Sequence, residues 1–238
     1  MDRKAIFKNI DVLVLCGGEG TRLRPVAPDK PKILVNIGRR PFVDILLDNL
    51  ASQGFRRVIL AVGYLKEQII KYFQTKPPKN MLVEFSTEEA PLGTGGAVKK
   101  VKSLIKSDNF LVMNGDSLFS VDFEKFYKAH LDKKALLSMV LARAADDSSD
   151  YARVVLADTG GIMSFNEKIY NKENLISAGI YFMRKDVFDF MPPKDSFSLE
   201  YDFFPKILDS CYSFVNEGKF IDIGTPERYK KAIELFSK

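Results

Sequence analysis

Apolar residues in the first half of the chain fall into short unbroken runs separated by longer amphipathic stretches. Val12–Leu15, Val58–Val62, Leu82–Ser86, Phe110–Met113 and Ala135–Leu141 read as strands. Phe42–Gln53, Leu65–Phe73, Gly95–Lys106 and Phe123–Leu131 read as helices. Strands and helices alternating in this way predict parallel strands joined by right-handed crossovers, with helices on both faces of one sheet. The strands lack strict polar alternation, as expected of central parallel strands buried on both faces. The expected class is α/β, a three-layer open sheet, mostly parallel. After about residue 142 the pattern changes. Arg153–Ala157 and Ile162–Asn166 flank Asp158-Thr159-Gly160-Gly161, which predicts a hairpin. Asn174–Met183 reads as another strand and Glu200–Asp209 as a helix. Glu227–Phe236 reads as a closing helix entered through Thr225-Pro226. The second half is therefore mixed.

Composition narrows the classes. The 238 residues are 46% apolar and 28% charged, ordinary for a globular chain. There is no internal repeat, and Lys76-Pro77-Pro78-Lys79-Asn80 reads as a loop within a single domain over residues 1–238. No apolar run is long enough to span a bilayer. The start, MDRKAIFKNID, is charged and is expected to become a strand quickly, unlike a secretory signal. Cys16 and Cys211 form no CxxC pair, so a reduced, cytoplasmic setting is expected, with both thiols simply buried. The net charge of +5 is scattered through amphipathic segments, whereas a nucleic-acid binder clusters its charge and interleaves aromatics. The expectation is no nucleic-acid and no membrane partner, the surplus serving to attract small phosphorylated substrates.

The densest chemistry lies at the end of the first strand, where Leu15-Cys16-Gly17-Gly18-Glu19-Gly20-Thr21-Arg22-Leu23-Arg24-Pro25 is followed by Pro31-Lys32. Ligands of open α/β sheets bind at the carboxyl ends of strands. Glycines let backbone N–H groups approach a phosphate or a base, and Arg22 and Arg24 add positive charge. It is not a dinucleotide fingerprint, because Gly18-Glu19-Gly20 is followed by Thr21, Arg22 and Leu23 with no third glycine opening a helix. It is not a P-loop, because no lysine follows Gly20. Pro25 and Pro28 predict an extended loop. Taken alone, the stretch is equally a tight turn with surface arginines.

The ordered combination is more specific. The loop with Pro31-Lys32 resembles the signature of the sugar-1-phosphate nucleotidyltransferases, also called sugar-nucleotide pyrophosphorylases. Pro91-Leu92-Gly93-Thr94-Gly95-Gly96-Ala97 is similar to that family's base-recognition loop. Asn114-Gly115-Asp116, Phe165-Asn166-Glu167-Lys168, Ala178-Gly179-Ile180-Tyr181 and Ile221-Asp222-Ile223-Gly224-Thr225-Pro226 follow in order. The resemblance covers roughly residues 10–230. Within the family, the short chain, PLGTGGA, Ser198-Leu199-Glu200-Tyr201-Asp202 and DIGTPE look most like the guanylyltransferases of heptose 1-phosphates, with those of mannose 1-phosphate next.

The resemblance implies a Rossmann-like fold of the nucleotide-diphospho-sugar transferase type, with a nucleotide-binding part over about 10–120 and a sugar-binding part over about 121–238. It implies a nucleoside triphosphate and a sugar 1-phosphate as partners, Mg2+ as cofactor, and a monomer or homodimer. Arg22 and Lys32 are the implied catalytic cations, one gripping the β- and γ-phosphates, the other bridging the α-phosphate and the leaving pyrophosphate. Leu15, Gly17, Gly18, Gly20, Thr21, Thr94 and Gly95 would bind nucleotide, with base contacts from backbone groups around Leu15, Gly17 and Thr94-Gly95. Asn114, Glu167, Lys168 and Gly179 would bind the sugar phosphate, and Asp116 and Asp222 the metal, since magnesium takes carboxylate and phosphate oxygens. Glu200 and Asp202 are weaker candidates for the sugar pocket; a capped helix start explains them too. Ser177 and Tyr151-Ala152 depart from the family pattern near the sugar residues. His130 needs no catalytic role. Two other classes remain: a non-catalytic regulatory homologue, against which Lys32, Asp116 and Asp222 all stand, and a related glycosyltransferase, which should carry DxD where this chain has Asn114-Gly115-Asp116. A thymidylyl-, uridylyl- or cytidylyltransferase on glucose would share most of the pattern.

Overall fold

A computed structural model describes residues 3–144, 153–157, 160–165 and 174–236. In chain order its strands are β1 (Asp11–Leu15), β2 (Asn36–Ile37), β3 (Arg40–Pro41), β4 (Arg57–Val62), β5 (Leu82–Thr87), β6 (Asn109–Asn114) and β7 (Ser117–Phe119). They continue as β8 (Leu137–Arg143), β9 (Val154–Leu156), β10 (Ile162–Phe165), β11 (Leu175–Arg184), β12 (Cys211–Val215) and β13 (Phe220–Asp222). The α-helices are α1 (Phe42–Gln53), α2 (Lys66–Thr75), α3 (Gly93–Lys100), α4 (Phe123–Asp132) and α5 (Pro226–Phe236). Two compact units divide the chain. The first comprises Met1–Pro91, Met113–Leu118 and Ile221–Lys238; the second comprises Leu92–Val112 and Phe119–Phe220.

In the first unit β1, β4 and β5 run parallel, with Leu13 opposite Ile59 and Ile59 opposite Glu84. Val12, Leu13, Val14 and Val58–Leu60 are fully buried, which explains their unbroken apolar runs. The α1 helix ends at Gly54, whose φ of 109° suits glycine, and buries Phe42, Val43, Leu46, Leu47 and Leu50. A separate cluster of Ile37, Phe42, Ile223 and Ala232 is flanked by Leu118, Ile221, Tyr229 and Ile233, so α5 returns the chain to this unit. At the opposite strand ends, Arg57 bonds both Glu84 (2.8 Å) and the buried Asp11. The expected first strand over Val12–Leu15 forms as β1 from Asp11, and the charged start before it, Arg3–Asn9, is a 3-10 helix.

In the second unit β8 pairs antiparallel with β11 and parallel with β12. The expected hairpin is present as antiparallel β9 and β10, with Gly160 at φ 81°; Asp158 and Thr159 of its turn lie outside the described residues. The expected α/β class with a mixed second half thus holds. Asp122 Oδ1 accepts from the Lys125 amide at 3.0 Å and caps α4, whose Phe126 packs on Phe182 and Phe214. His130, on the last turn of α4, is buried. Burial, then the Arg184 charge, pushes its pKa down to about 4, and its ring nitrogens meet Ser138 (2.9 Å) and Asn109 (3.1 Å).

Two expected helices differ. The helix read over Gly95–Lys106 starts at Gly93 and ends by Lys100, continuing as turns. The helix read over Glu200–Asp209 does not form. Leu199–Phe203 makes one π-type turn, then Phe204–Lys206 and Leu208–Ser210 make 3-10 turns. Pro205 is the reason: it has no N–H to donate, and its ring would clash with a helical carbonyl one turn back.

Candidate active site

The glycine loop belongs to the first unit. Its Thr21–Leu23 portion is a 3-10 turn entered through Gly20 at φ 61°, a backbone conformation that glycine adopts without strain. Thr21 and Arg22 are exposed on it, and Leu23 is buried beneath it. Arg24 is tied down: Glu19 accepts its hydrogen bond at 3.0 Å, and the Tyr64 ring lies 5.3 Å below its guanidinium. The Gly17 carbonyl accepts from the Tyr64 amide at 3.1 Å, and Gly18 faces open space.

Three other segments of this unit gather at the loop's end of β1. Gly115 lies so close to the end of β1 that a Cβ there would sit 2.9 Å from the Leu15 carbonyl, which accepts its amide at 2.8 Å. That docking carries Asn114 and Asp116 to the end of β1. Lys32 then reaches across to Asp116 Oδ2 at 2.8 Å, its stem 3.6 Å from where a Cβ on Gly20 would lie. The Asp116 carbonyl accepts from the Ile223 amide at 3.0 Å, bringing Asp222 alongside. Asp222 is buried; its Oδ1 accepts from the Gly224 amide at 2.8 Å and from Arg228 at 3.4 Å. Leu15, Gly17, Gly18, Gly20, Thr21, Arg22, Lys32, Asn114, Asp116 and Asp222 are thus all in one unit.

The donor chemistry of Asp116 and Asp222 fits a hard divalent cation. Both offer only carboxylate oxygens, on backbone segments joined by a hydrogen bond. Among the described residues no group of three or more His, Cys, Asp or Glu side chains could hold a metal. Magnesium is commonly bound by one or two carboxylates, with phosphates and water completing its shell.

One residue went unnoticed in the sequence. Glu88, just past β5, is buried, and a Cβ on Gly17 would lie 2.9 Å from its Oε1. Burial and the Glu88 charge together raise the Cys16 pKa, so this thiol stays protonated and donates to the Ala61 carbonyl at 3.1 Å. The available signal was a pair of acids, Glu88-Glu89, directly after a strand.

The second unit holds Thr94, Gly95 and Gly179. Around Gly95 and Gly96 the space that a side chain would take is filled from within this unit. A Cβ on Gly95 would lie 2.2 Å from the Phe197 ring, and one on Gly96 2.1 Å from the Asp195 carbonyl. The Gly95 amide donates to the Phe197 carbonyl at 2.9 Å. The Thr94 hydroxyl accepts from the Leu199 amide (2.8 Å) and donates to Glu200 (3.0 Å). Asp202 accepts from the Ser198 amide and from Lys194, a loop-fixing role. Gly179, at φ 68°, sits in a bulge of β11 between Ser177 and Tyr181. Glu167, Lys168, Tyr151 and Ala152 lie outside the described residues.

Comparison with known proteins adds identity to geometry. Residues 11–238 match the family described as Nucleotidyl transferase. The chain is 36% identical over 225 residues to D-glycero-alpha-D-manno-heptose 1-phosphate guanylyltransferase of Aneurinibacillus thermoaerophilus, covering 94% of this chain and 96% of that one. It is 34% identical over 226 residues to the protein of the same name from Campylobacter jejuni, covering 92% and 97%. The crystal structure of HddC from Yersinia pseudotuberculosis, complexed with GMP-PN, superposes with a TM-score of 0.86 at 37% identity, over 95% of this chain and 99% of that one.

Proposed function

Because the chain belongs to the nucleotidyl transferase family, we propose that it moves guanylate from GTP to D-glycero-D-manno-heptose 1-phosphate and releases pyrophosphate. It is a sugar-1-phosphate nucleotidyltransferase. The observation that carries the reading is the convergence of Lys32, Asp116 and Asp222 beside the glycine loop. Cations and carboxylates gathered at a glycine-rich strand end suit the handling of a triphosphate.

The chemistry needs no covalent intermediate, because the nucleophile is already an anion. A phosphate oxygen of the sugar 1-phosphate attacks the α-phosphorus in line, and the bond from that phosphorus to the pyrophosphate oxygen breaks. The obstacle is negative charge meeting negative charge. Lys32, held in position by Asp116, would turn its ammonium onto the α-phosphate and the departing pyrophosphate, and Arg22 would neutralise the β- and γ-phosphates. Asp116 and Asp222 would hold magnesium, which when bound supplies the divalent charge that offsets the phosphates' own. Glu167 and Lys168 would orient the sugar hydroxyls and phosphate.

Guanine is supported by Glu88. A carboxylate is an acceptor-only group, and guanine presents two adjacent donors, N1–H and the 2-amino group. The heptose is supported by the two guanylyltransferases named above, matched over nearly their whole length. The test is incubation of the purified chain with magnesium, each of GTP, CTP, UTP, ATP and dTTP, and heptose, mannose or glucose 1-phosphate, with the sugar nucleotide weighed by mass spectrometry. GDP-heptose as the dominant product is expected. A different nucleotide sugar overturns the substrates, and no nucleotide sugar from any pair overturns the function.

A further inference from the structure

We propose that Glu200 is a positioning residue, one carboxylate that orders both the Thr94 end of α3 and the Ser177–Gly179 bulge of β11. The functional half of this proposal rests on the function proposed above together with the roles the family resemblance implies, residues 94–95 for the nucleotide and Gly179 for the sugar phosphate.

The protons available fix the direction of each bond in this network. Thr94 Oγ1 accepts the Leu199 amide at 2.8 Å, so its own proton goes to Glu200 Oε2 at 3.0 Å. Ser198 Oγ accepts the Glu200 and Tyr201 amides and sends its proton to the same Oε2 at 3.0 Å. On the other side the Tyr181 hydroxyl donates to Glu200 Oε1 at 3.3 Å. A phenol has one proton to give. Ser177 Oγ, 3.1 Å from the Tyr181 oxygen, must therefore be the donor in that pair, and it accepts the Gly179 amide at 3.3 Å. Every proton in the network points toward Glu200. Tyr181 is buried, and burial followed by the Glu200 charge holds its pKa well above the ordinary tyrosine value, so it stays a donor.

The direction matters because Thr94 lies in the first turn of α3 while Gly179 shapes the bulge of β11. Glu200 supplies the link through side chains alone. Its place on the π-type turn Leu199–Phe203, fixed by the Ser198 cap, aims it at both. Ser177 is the member of this relay next to Gly179.

Three variants test this. In ligand-free protein, hydrogen–deuterium exchange of Glu200→Ala should speed up in both segments 92–97 and 176–181, whereas Tyr181→Phe should affect 176–181 only. In steady-state kinetics, Tyr181→Phe should raise KM for the sugar 1-phosphate about tenfold, the scale of a lost hydrogen bond to a charged group, with KM for the nucleotide within about twofold. Glu200→Ala should raise both. Glu200→Gln guards against misfolding of the alanine variant. Its single acceptor oxygen should stay with Thr94 and Ser198, and its amide should face Tyr181 and reverse that arm, so that it behaves as Tyr181→Phe does. Exchange in Glu200→Ala confined to residues 198–203 overturns the proposal. So does a Tyr181→Phe or Glu200→Gln chain whose nucleotide KM rises as far as its sugar KM. If wild-type protein turns over no substrate pair, the functional reading fails, and the exchange experiment still decides the network.

Discussion

Substituting Gly95 by alanine separates two reasons for a glycine. If the residue is bare so that a base can approach, alanine should harm nucleotide binding and leave the free fold untouched or better, since alanine favours a helix over glycine by about 1 kcal/mol. The structure gives the other reason. An added Cβ would lie 2.2 Å from Cδ2 and Cε2 of Phe197, where non-bonded carbons prefer roughly 3.5–4 Å. Phe197 is buried, and its backbone carbonyl is hydrogen-bonded to the Gly95 amide, so the ring must move without its main chain. Overpacking of this kind costs about 1–3 kcal/mol, which lowers Tm by about 2–12 °C in a chain of this size. The decisive control is Phe197→Ala. That change alone should be costly, but in its background Gly95→Ala should switch sign and stabilise by up to about 1 kcal/mol. Gly96→Ala should show no such rescue, because its obstacle is the Asp195 carbonyl. Urea unfolding of the four chains measures the cycle. A Gly95→Ala chain as stable as wild type, or an equal cost in both backgrounds, would refute the packing argument.

The remaining predictions concern charge. His130 has its folded pKa depressed to about 4 from an ordinary 6.5. The unfolded chain therefore takes up a proton in that window that the folded chain refuses, and stability should fall by about 3 kcal/mol as pH drops from about 6.5 to about 4. His130→Gln should flatten the stability difference across that window in pH-dependent urea melts; an unchanged slope would remove His130 as its source. Glu88→Gln should lower kcat/KM for GTP about tenfold or more while changing that for UTP less, and an unaltered ratio would deny Glu88 a part in base choice. Lys32→Ala and Asp222→Asn should each cut turnover by about a hundredfold or more, the scale of losing an electrostatic contact to a transition state. Near-native turnover in either would sink the role assigned to it.

What could be read from the chain follows from the range of the forces involved. The bounds of α1 were legible to the residue, because a buried stripe runs between Pro41 and Gly54, both local signals. The parallel strands β1 and β4 were legible because burial on both faces leaves an unbroken apolar run. Strand β12 was not, since Cys211–Val215 is made a strand by pairing with β8 far away in sequence. The helix expected over Glu200–Asp209 ignored Pro205, a local signal that should have outweighed the spacing of its apolar residues. In the candidate site, residue types and order were legible, but their arrangement was not. Lys32 meets Asp116 only because Gly115 docks on Leu15. Glu88 is hidden in sequence because nothing local says that one carboxylate of a pair will be buried against Gly17.

The central claim is that a phosphate oxygen of the sugar attacks the α-phosphorus of a nucleoside triphosphate. The measurement that tests it most directly supplies sugar 1-phosphate carrying heavy oxygen in its phosphoryl group and follows the label by mass spectrometry. The account predicts all label in the nucleotide sugar, none in the pyrophosphate, and the two products in equal amounts. Label leaving as orthophosphate would mean that the linkage between the sugar and its phosphate had broken instead, and would contradict it.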